Sequence, residues 1–177
     1  GFVESAFNDS TTSDNDRIVI DRLRELGFTM VPIELPEFPT NSLSFLLDVE
    51  AAAAFDELTR SNRDDQLVRQ VKRAWPNVFR SARYVPAVEY VQANRARVLL
   101  NKKMSSLFEK IDVYLVPSFY GDNLLRTNLT GHPCIVLPNG FDSKGMPTSI
   151  SFIGDLYKDG ELVAVARSYQ RDTGWHK

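Results

Sequence analysis

The chain has 177 residues, 43% hydrophobic and 25% charged, and its mixed signs sum to −2. That balance lies in the ordinary globular range, outside the disordered one, and offers no basic face for nucleic acid or an anionic bilayer. The only cysteine, Cys134, permits no internal disulfide, and no apolar run approaches the ~20 residues that span a bilayer.

Gly1-Phe2-Val3 has the character of a strand. The polar stretch Asn8 to Asp16 follows, and Ser13 and Asp16 within it have capping-box spacing for a helix. Val19, Leu23 and Leu26 fall at helical intervals, and Gly27 stands where a C′ residue belongs. Phe28 to Leu35 is expected to be a strand, short or at an edge because Pro32 lacks a ladder donor. Strand, helix and strand in that order imply a βαβ unit with parallel pairing.

After the break at Pro36 to Thr40, Leu46, Val49, Ala53 and Phe55 can line a helix from Ser44 to Arg60. Asp64 to Trp75 is expected to form a short helix stopped by Pro76, with a helical turn over Asn77 to Arg83. Pro86 then opens a long helix, since proline at the first position sacrifices no intrahelical bond. Its core stripe is expected to begin at Tyr84, Val88 and Val91 and to resume at Leu100, Met104, Leu107, Phe108 and Ile111.

Val113 to Val116 is a strand, and Ser118 to Thr127 is expected to be a loop. Next come two apolar runs, Cys134 to Leu137 between prolines and Ser151 to Ile153 before Gly154. Asn139 to Gly145 between them supplies turn chemistry, so the two strands should pair or lie close. Cys134 is expected to be a small core residue there. A last helix runs from Asp159 to Thr173, with Leu162, Val165, Ala166 and Tyr169 on one face. The fold expected is α/β: one domain over residues 1–177, a mixed sheet of about five strands flanked by helices.

Chemistry is sparse. Lys102, Ser105 and Ser106 share a helix face, and a lysine base could activate a serine, but Lys102-Lys103 sits in a polar segment that would not lower the amine's pKa. No glycines follow Ser106 to build an oxyanion hole. His132, between Gly131 and Pro133, is expected to be backbone-bonded or partly exposed, and His176 to lie in a frayed tail. Without a His/Cys cluster, a phosphate loop or a dinucleotide fingerprint, we expect no metal and no cofactor.

Asn128-Leu129-Thr130-Gly131-x-Pro133, the apolar strand ending in Pro138, and Gly140-Phe141-Asp142-x-x-Gly145-x-Pro147 leading to Ile153-Gly154 together resemble the closing section of the amidase signature family. Tyr90 to Arg97 and Asp112 to Pro117 resemble its long helix and following strand, so the likeness covers nearly the whole chain. The resemblance implies hydrolysis of amide carbon–nitrogen bonds by a nucleophilic serine, a second serine in a cis peptide and a lysine base, on a Gly/Ser-rich segment in the N-terminal half. These 177 residues contain no such segment. They begin without Met and inside a strand, so we expect a C-terminal fragment with no catalytic residues of its own and the N-terminal half of the parent as its partner.

The resemblance also implies substrate-binding candidates for a small amide at Asp122 and Asn128, although their spacing is one residue shorter than in the glutamine-using branch; a loop-capping aspartate is the alternative. Two other readings stay open: a non-catalytic binding or assembly module, for example a homodimer through an open sheet edge, and a subunit of a glutamine-dependent tRNA amidotransferase. No nucleic-acid or membrane partner is expected for the chain itself.

Overall fold

The computed structural model of the chain describes residues 1–175, so His176 lies outside the described residues. The chain forms two compact units, residues 1–38 with 101–177, and residues 39–100.

The first unit carries a five-stranded mixed sheet in the order β2-β1-β3-β5-β4. The strands are β1 (Phe2–Val3), β2 (Pro32–Ile33), β3 (Val113–Pro117), β4 (Cys134–Phe141) and β5 (Pro147–Gly154). β1 pairs parallel with both β2 and β3, and β5 lies antiparallel between β3 and β4. The βαβ expectation holds, but the strand expected over Phe28 to Leu35 shrinks to two residues, as proline at an edge dictates.

A short helix α1 (Glu4–Asn8) follows β1, and α2 (Asp14–Glu25) connects to β2. Ser13 caps α2 in both directions: its hydroxyl accepts from Asp16 N–H at 3.2 Å, and Asp16 Oδ2 accepts from Ser13 N–H at 3.3 Å. Gly27, with φ of 89°, ends it in the left-handed conformation that glycine reaches without strain. Val19, Ile20 and Leu23 of α2, and Leu162, Ala166 and Tyr169 of α8 (Asp159–Thr173), cover one face of the sheet over Leu115, Leu137, Ile150 and Phe152. Leu26, expected on the stripe, is 37% exposed beyond the last turn.

Strand alternation sends the other residues of β3 and β5 to the opposite face. There Tyr114 meets Phe108 at 5.8 Å, near the end of the long helix α6 (Ala87–Phe108). It also bonds to Asn123 in α7 (Asn123–Thr130), a helix where a loop was expected.

Cys134 corrects its expectation: it is exposed, because β4 is an edge strand whose buried residues are Leu137, Asn139 and Gly140. The β4–β5 hairpin is as expected, but pairing continues through Asn139-Gly140-Phe141, with a bulge between Pro138 and Gly140. The turn is left to Asp142, whose Oδ1 accepts from Lys144 and Met146 N–H at 2.8 and 2.9 Å.

The second unit is helical: α3 (Phe45–Ala54), α4 (Asp56–Arg60), α5 (Trp75–Ala82) and the first part of α6. Two expectations reverse here. Residues 67–74 are not helical, and Pro76 lies in the first turn of α5 instead of ending a helix. A proline needs no intrahelical N–H partner at that position, so its rigid φ favours starting a helix as readily as stopping one. Tyr84, ahead of α6, and Val88 and Val91 on it are 87%, 66% and 55% exposed, whereas Ala93, Leu100, Met104 and Phe108 are buried. Val91 and Leu100 stand nine residues apart, about 180° around a helix of 3.6 residues per turn, so they mark two faces and not one stripe.

Candidate functional site

Strand β3 ends at Pro117, and the chain turns through Ser118 to Asp122 into α7. Phe119 there has φ of 68°, a left-handed conformation rare outside glycine, and its ring is 84% exposed.

The first residues of α7 are tied down from three sides. Tyr114 Oη donates to Asn123 Oδ1 at 2.8 Å inside the fold, and burial raises the phenol's pKa, so it remains a donor. Arg126, one turn on, is 4% exposed. Its Nη2 donates to both oxygens of Asp122, at 3.3 and 3.1 Å, and its Nη1 to the Pro36 carbonyl at 2.9 Å. This i, i+4 pair clamps the β3–α7 turn to the segment after β2.

Of the two residues expected to bind substrate, Asp122 is thus partly buried in the clamp, at the N-cap of α7, while Asn128 is exposed on the helix. They lie six residues apart, about 120° around the axis, so the structure does not bring them onto one face. Lys102, Ser105 and Ser106 are all exposed on α6, on a solvated face.

A group that the sequence reading passed over lies beside the clamp. Ser118 Oγ is 3.1 Å from Ser151 Oγ and accepts from Ser149 Oγ at 3.1 Å. Ser149 and Ser151 share one face of β5, opposite the core residues Ile150 and Phe152, and Cys134 and Val136 face solvent on adjacent β4. The signal was present as Ser149-Ile150-Ser151: polar residues two apart on a buried strand declare a polar patch on one face. Besides one another, these hydroxyls reach the Cys134 thiol through Ser151, and burial raises that thiol's pKa, so none of their partners is a base and the trio can orient a polar group but holds no activated nucleophile.

His132 is buried and not partly exposed, and it bonds to a side chain instead of the backbone: Nδ1 lies 2.7 Å from Thr130 Oγ1, and the ring stacks on Phe108 at 5.1 Å. Burial lowers its pKa, opposed by Asp155, so the ring is neutral at pH 7. Among the described residues no group of three or more His, Cys, Asp or Glu could hold a metal ion, and no helix is long and apolar enough to cross a membrane. A cavity of about 360 Å³ beside Leu23, Phe28, Met30, Val113 and Val165 includes none of the polar residues named above.

No protein-family profile matches the chain. Among curated proteins it is similar to a glutamyl-tRNA(Gln) amidotransferase subunit from Alcanivorax borkumensis, 26% identical across 96% of this chain and 42% of that one. It is also similar to the same subunit of Picosynechococcus, 27% identical across the whole chain and 45% of the relative. The chain therefore spans under half the length of these curated relatives. The second match runs over 221 residues against 177 here, so the relative is longer within the matched span. Among solved structures, the peptide amidase of Stenotrophomonas maltophilia aligns with 98% of this chain and 42% of its own, at a TM-score of 0.76 and 18% identity. A bacterial aryl acylamidase of the amidase signature family aligns with 93% and 41%, at 0.71 and 16%. The resemblance read from the motifs, to part of an amidase-signature protein, is borne out in sequence and in fold.

Proposed function

We propose that this chain, an amidase-signature fragment, is the C-terminal portion of an amidase-type hydrolase, and that residues 1–177 supply scaffold strands and one wall of the cleft that binds the acyl group. The observation that carries this reading is agreement of two kinds of likeness over the same stretch, in sequence to the amidotransferase subunits and in fold to the amidases. In the complete protein a serine from the other portion attacks an amide carbonyl, an acyl-enzyme forms as the amine leaves, and water releases the acid. The N-terminal half is the partner. Open hydrogen-bonding edges at β2 and β4 and the exposed Cys134 and Val136 support a neighbour on this unit. The substrate is a small amide, with Asp122 and Asn128 as its binding candidates from this chain.

A second reading, a subunit of a tRNA amidotransferase, is supported by the names of the curated relatives. The deciding experiment is labelling with a serine-directed fluorophosphonate, on this chain alone and on the longest product of its gene. Labelling of the longer product only is the expected result. Labelling of this chain by itself, abolished by Ser105→Ala or Ser106→Ala, would overturn the fragment reading. Co-purification of the longer product with partner subunits separates the amidotransferase from a free-standing amidase, and light scattering on this chain tests the homodimer.

A further inference from the structure

On the helix-covered face of the sheet, opposite the serine trio, a cavity of about 330 Å³ opens between α2, the end of β4 and α8. Its lining includes Asn15, Ile18, Arg22, Asn139, Tyr169 and Asp172. Asn139 and Tyr169 are its buried parts, 4% and 1% exposed, while Arg22 and Asp172 are exposed at its rim. That volume falls in the range of small-molecule sites, and a few polar groups converging on it are what such sites require.

Asn139 is the unusual member. It sits at the β-bulge between Pro138 and Gly140, where the extra residue leaves the ladder and the strand can re-aim a side chain. The bulge is tightly packed: a Cβ on Gly140, whose φ is 140°, would meet the Asn15 amide at 2.9 Å. The Asn139 side chain turns to α2, and its Nδ2 donates to Asp16 Oδ1 at 2.8 Å. Asp16 is itself fixed, since its other oxygen accepts from the Ser13 hydroxyl at 2.7 Å. A carboxylate only accepts, so this bond fixes the amide orientation; a flip would set oxygen against oxygen. Asn139 Oδ1 is thereby buried as an acceptor without a partner. Buried polar atoms are nearly always satisfied, so an orphaned acceptor in a cavity wall calls for a donor from a ligand.

The surrounding charges narrow the class. Asp172 makes no ion pair among the described residues, so one side of the rim is an open carboxylate. Arg22 spends Nη1 on the exposed Glu25 at 2.8 Å, which leaves the rest of its fork for an incoming carboxylate. Tyr169 has its pKa pushed up to about 12, chiefly by burial, so its phenol stays neutral and adds no competing charge. Ile18 offers an apolar wall.

We propose that this cavity binds a small zwitterion of the α-amino acid class, its ammonium donating to Asn139 Oδ1 and Asp172 and its carboxylate held by Arg22. The proposal is independent of the hydrolase reading, because it rests on the other face of the sheet. Its test is ligand-observed saturation-transfer NMR on the full-length gene product, with the twenty L-amino acids as probes and ethylamine and propionate as single-charge controls. Expected are transfer to at least one amino acid, little to either control, and at least a tenfold weakening in both Asp172→Asn and Arg22→Gln. Both variants change exposed rim residues, so circular dichroism should show an unchanged fold and fluorophosphonate labelling should persist. No transfer to any amino acid, equal binding of ethylamine, or binding indifferent to both substitutions would overturn the proposal, the last by placing the ligand elsewhere.

Discussion

In the sheet-bearing unit, Phe152 is fully buried under Tyr169, ring centroids 5.5 Å apart, inside a cluster that draws on α1, α2, α8 and three strands. In the helical unit the equivalent anchor, Phe79, stacks between Phe55 at 5.2 Å and Trp75 at 5.5 Å, and both of those rings are about half exposed, at 51% and 49%. Its buried cluster is otherwise Ala52 and Ala82. Ion pairs gather around it: Asp56 with Arg60 and Arg83, Glu57 with Arg63, and Asp65 with Arg80. Exposed pairs of this kind add little, though Arg80 also pairs at 2.5 Å with the buried Asp64, so the aromatic cluster of the helical unit rests on one stack while the sheet unit spreads its burial over many side chains.

Truncating each anchor breaks that comparison most directly. Phe152→Ala leaves a void between a sheet and a helix that cannot close together, and about 4 kcal/mol of stability should be lost. Phe79→Ala should cost less, about 3 kcal/mol, because its half-exposed neighbours can settle into the space. Urea denaturation measures both, and Trp75 and Trp175 give each unit its own fluorophore. An equal or larger loss from Phe79→Ala would show that the aromatic stack is as rigid as the sheet core.

A smaller effect is expected at the clamp. Arg126→Met keeps the buried aliphatic volume but strips Asp122 and the Pro36 carbonyl of their donor, a loss of about 2 kcal/mol. Asp122 is 22% exposed and regains some water, which holds the cost below that of a fully buried broken pair. If Asp122 also lines the substrate cleft, the same variant raises KM of the full-length protein. An unchanged KM with lowered stability would make the clamp purely structural.

These regions also differ in how much the sequence disclosed. The hairpin was legible because its signals are local: prolines bracket one strand, Asn, Gly and Asp fill the turn, and Ser13 and Asp16 announce a cap three residues apart. What failed was non-local or two-valued. Pro76 is compatible with a helix start or a helix stop, and composition does not choose between them. Whether Cys134 is core or surface depends on β4 being at an edge, which strand order decides. The Asp122–Arg126 clamp is an i, i+4 pair, visible only once α7 is a helix, and the loop expectation concealed it. The serine trio needed β3 and β5 to be neighbours, although Ser149-Ile150-Ser151 already marked one half.

The capping box offers the next step down. Ser13→Ala removes the acceptor for Asp16 N–H and should cost about 1 kcal/mol, a typical N-cap value. It also leaves Asp16 Oδ2 with only the longer 3.3 Å bond from the Ser13 backbone N–H, loosening the support of Asn139. Hydrogen exchange should then quicken in the first turn of α2 and at the β4 bulge, while the helical unit is unaffected.

The smallest effect concerns His132 and acid. Thr130 Oγ1 donates to the Arg126 carbonyl at 2.8 Å, so it is left to accept the Nδ1 proton of His132. Nε2 then carries a bare lone pair, buried without a hydrogen-bond partner, with Asp155 Oδ1 at 3.8 Å. Burial lowers the folded pKa below the ordinary 6.5, and the Asp155 charge only partly offsets it. Below pH 6.5 the unfolded chain takes up a proton that the folded one still refuses, so His132 makes stability fall with pH until the folded pKa is reached; above 6.5 its contribution is flat. His132→Phe keeps a ring against Phe108 and cannot titrate, so its stability should fall less steeply than the parent's as pH drops from 7 through 6. Parallel pH profiles would mean that the ring never resists protonation, and a parent that gains stability on acidification would mean that the Asp155 ion pair outweighs burial.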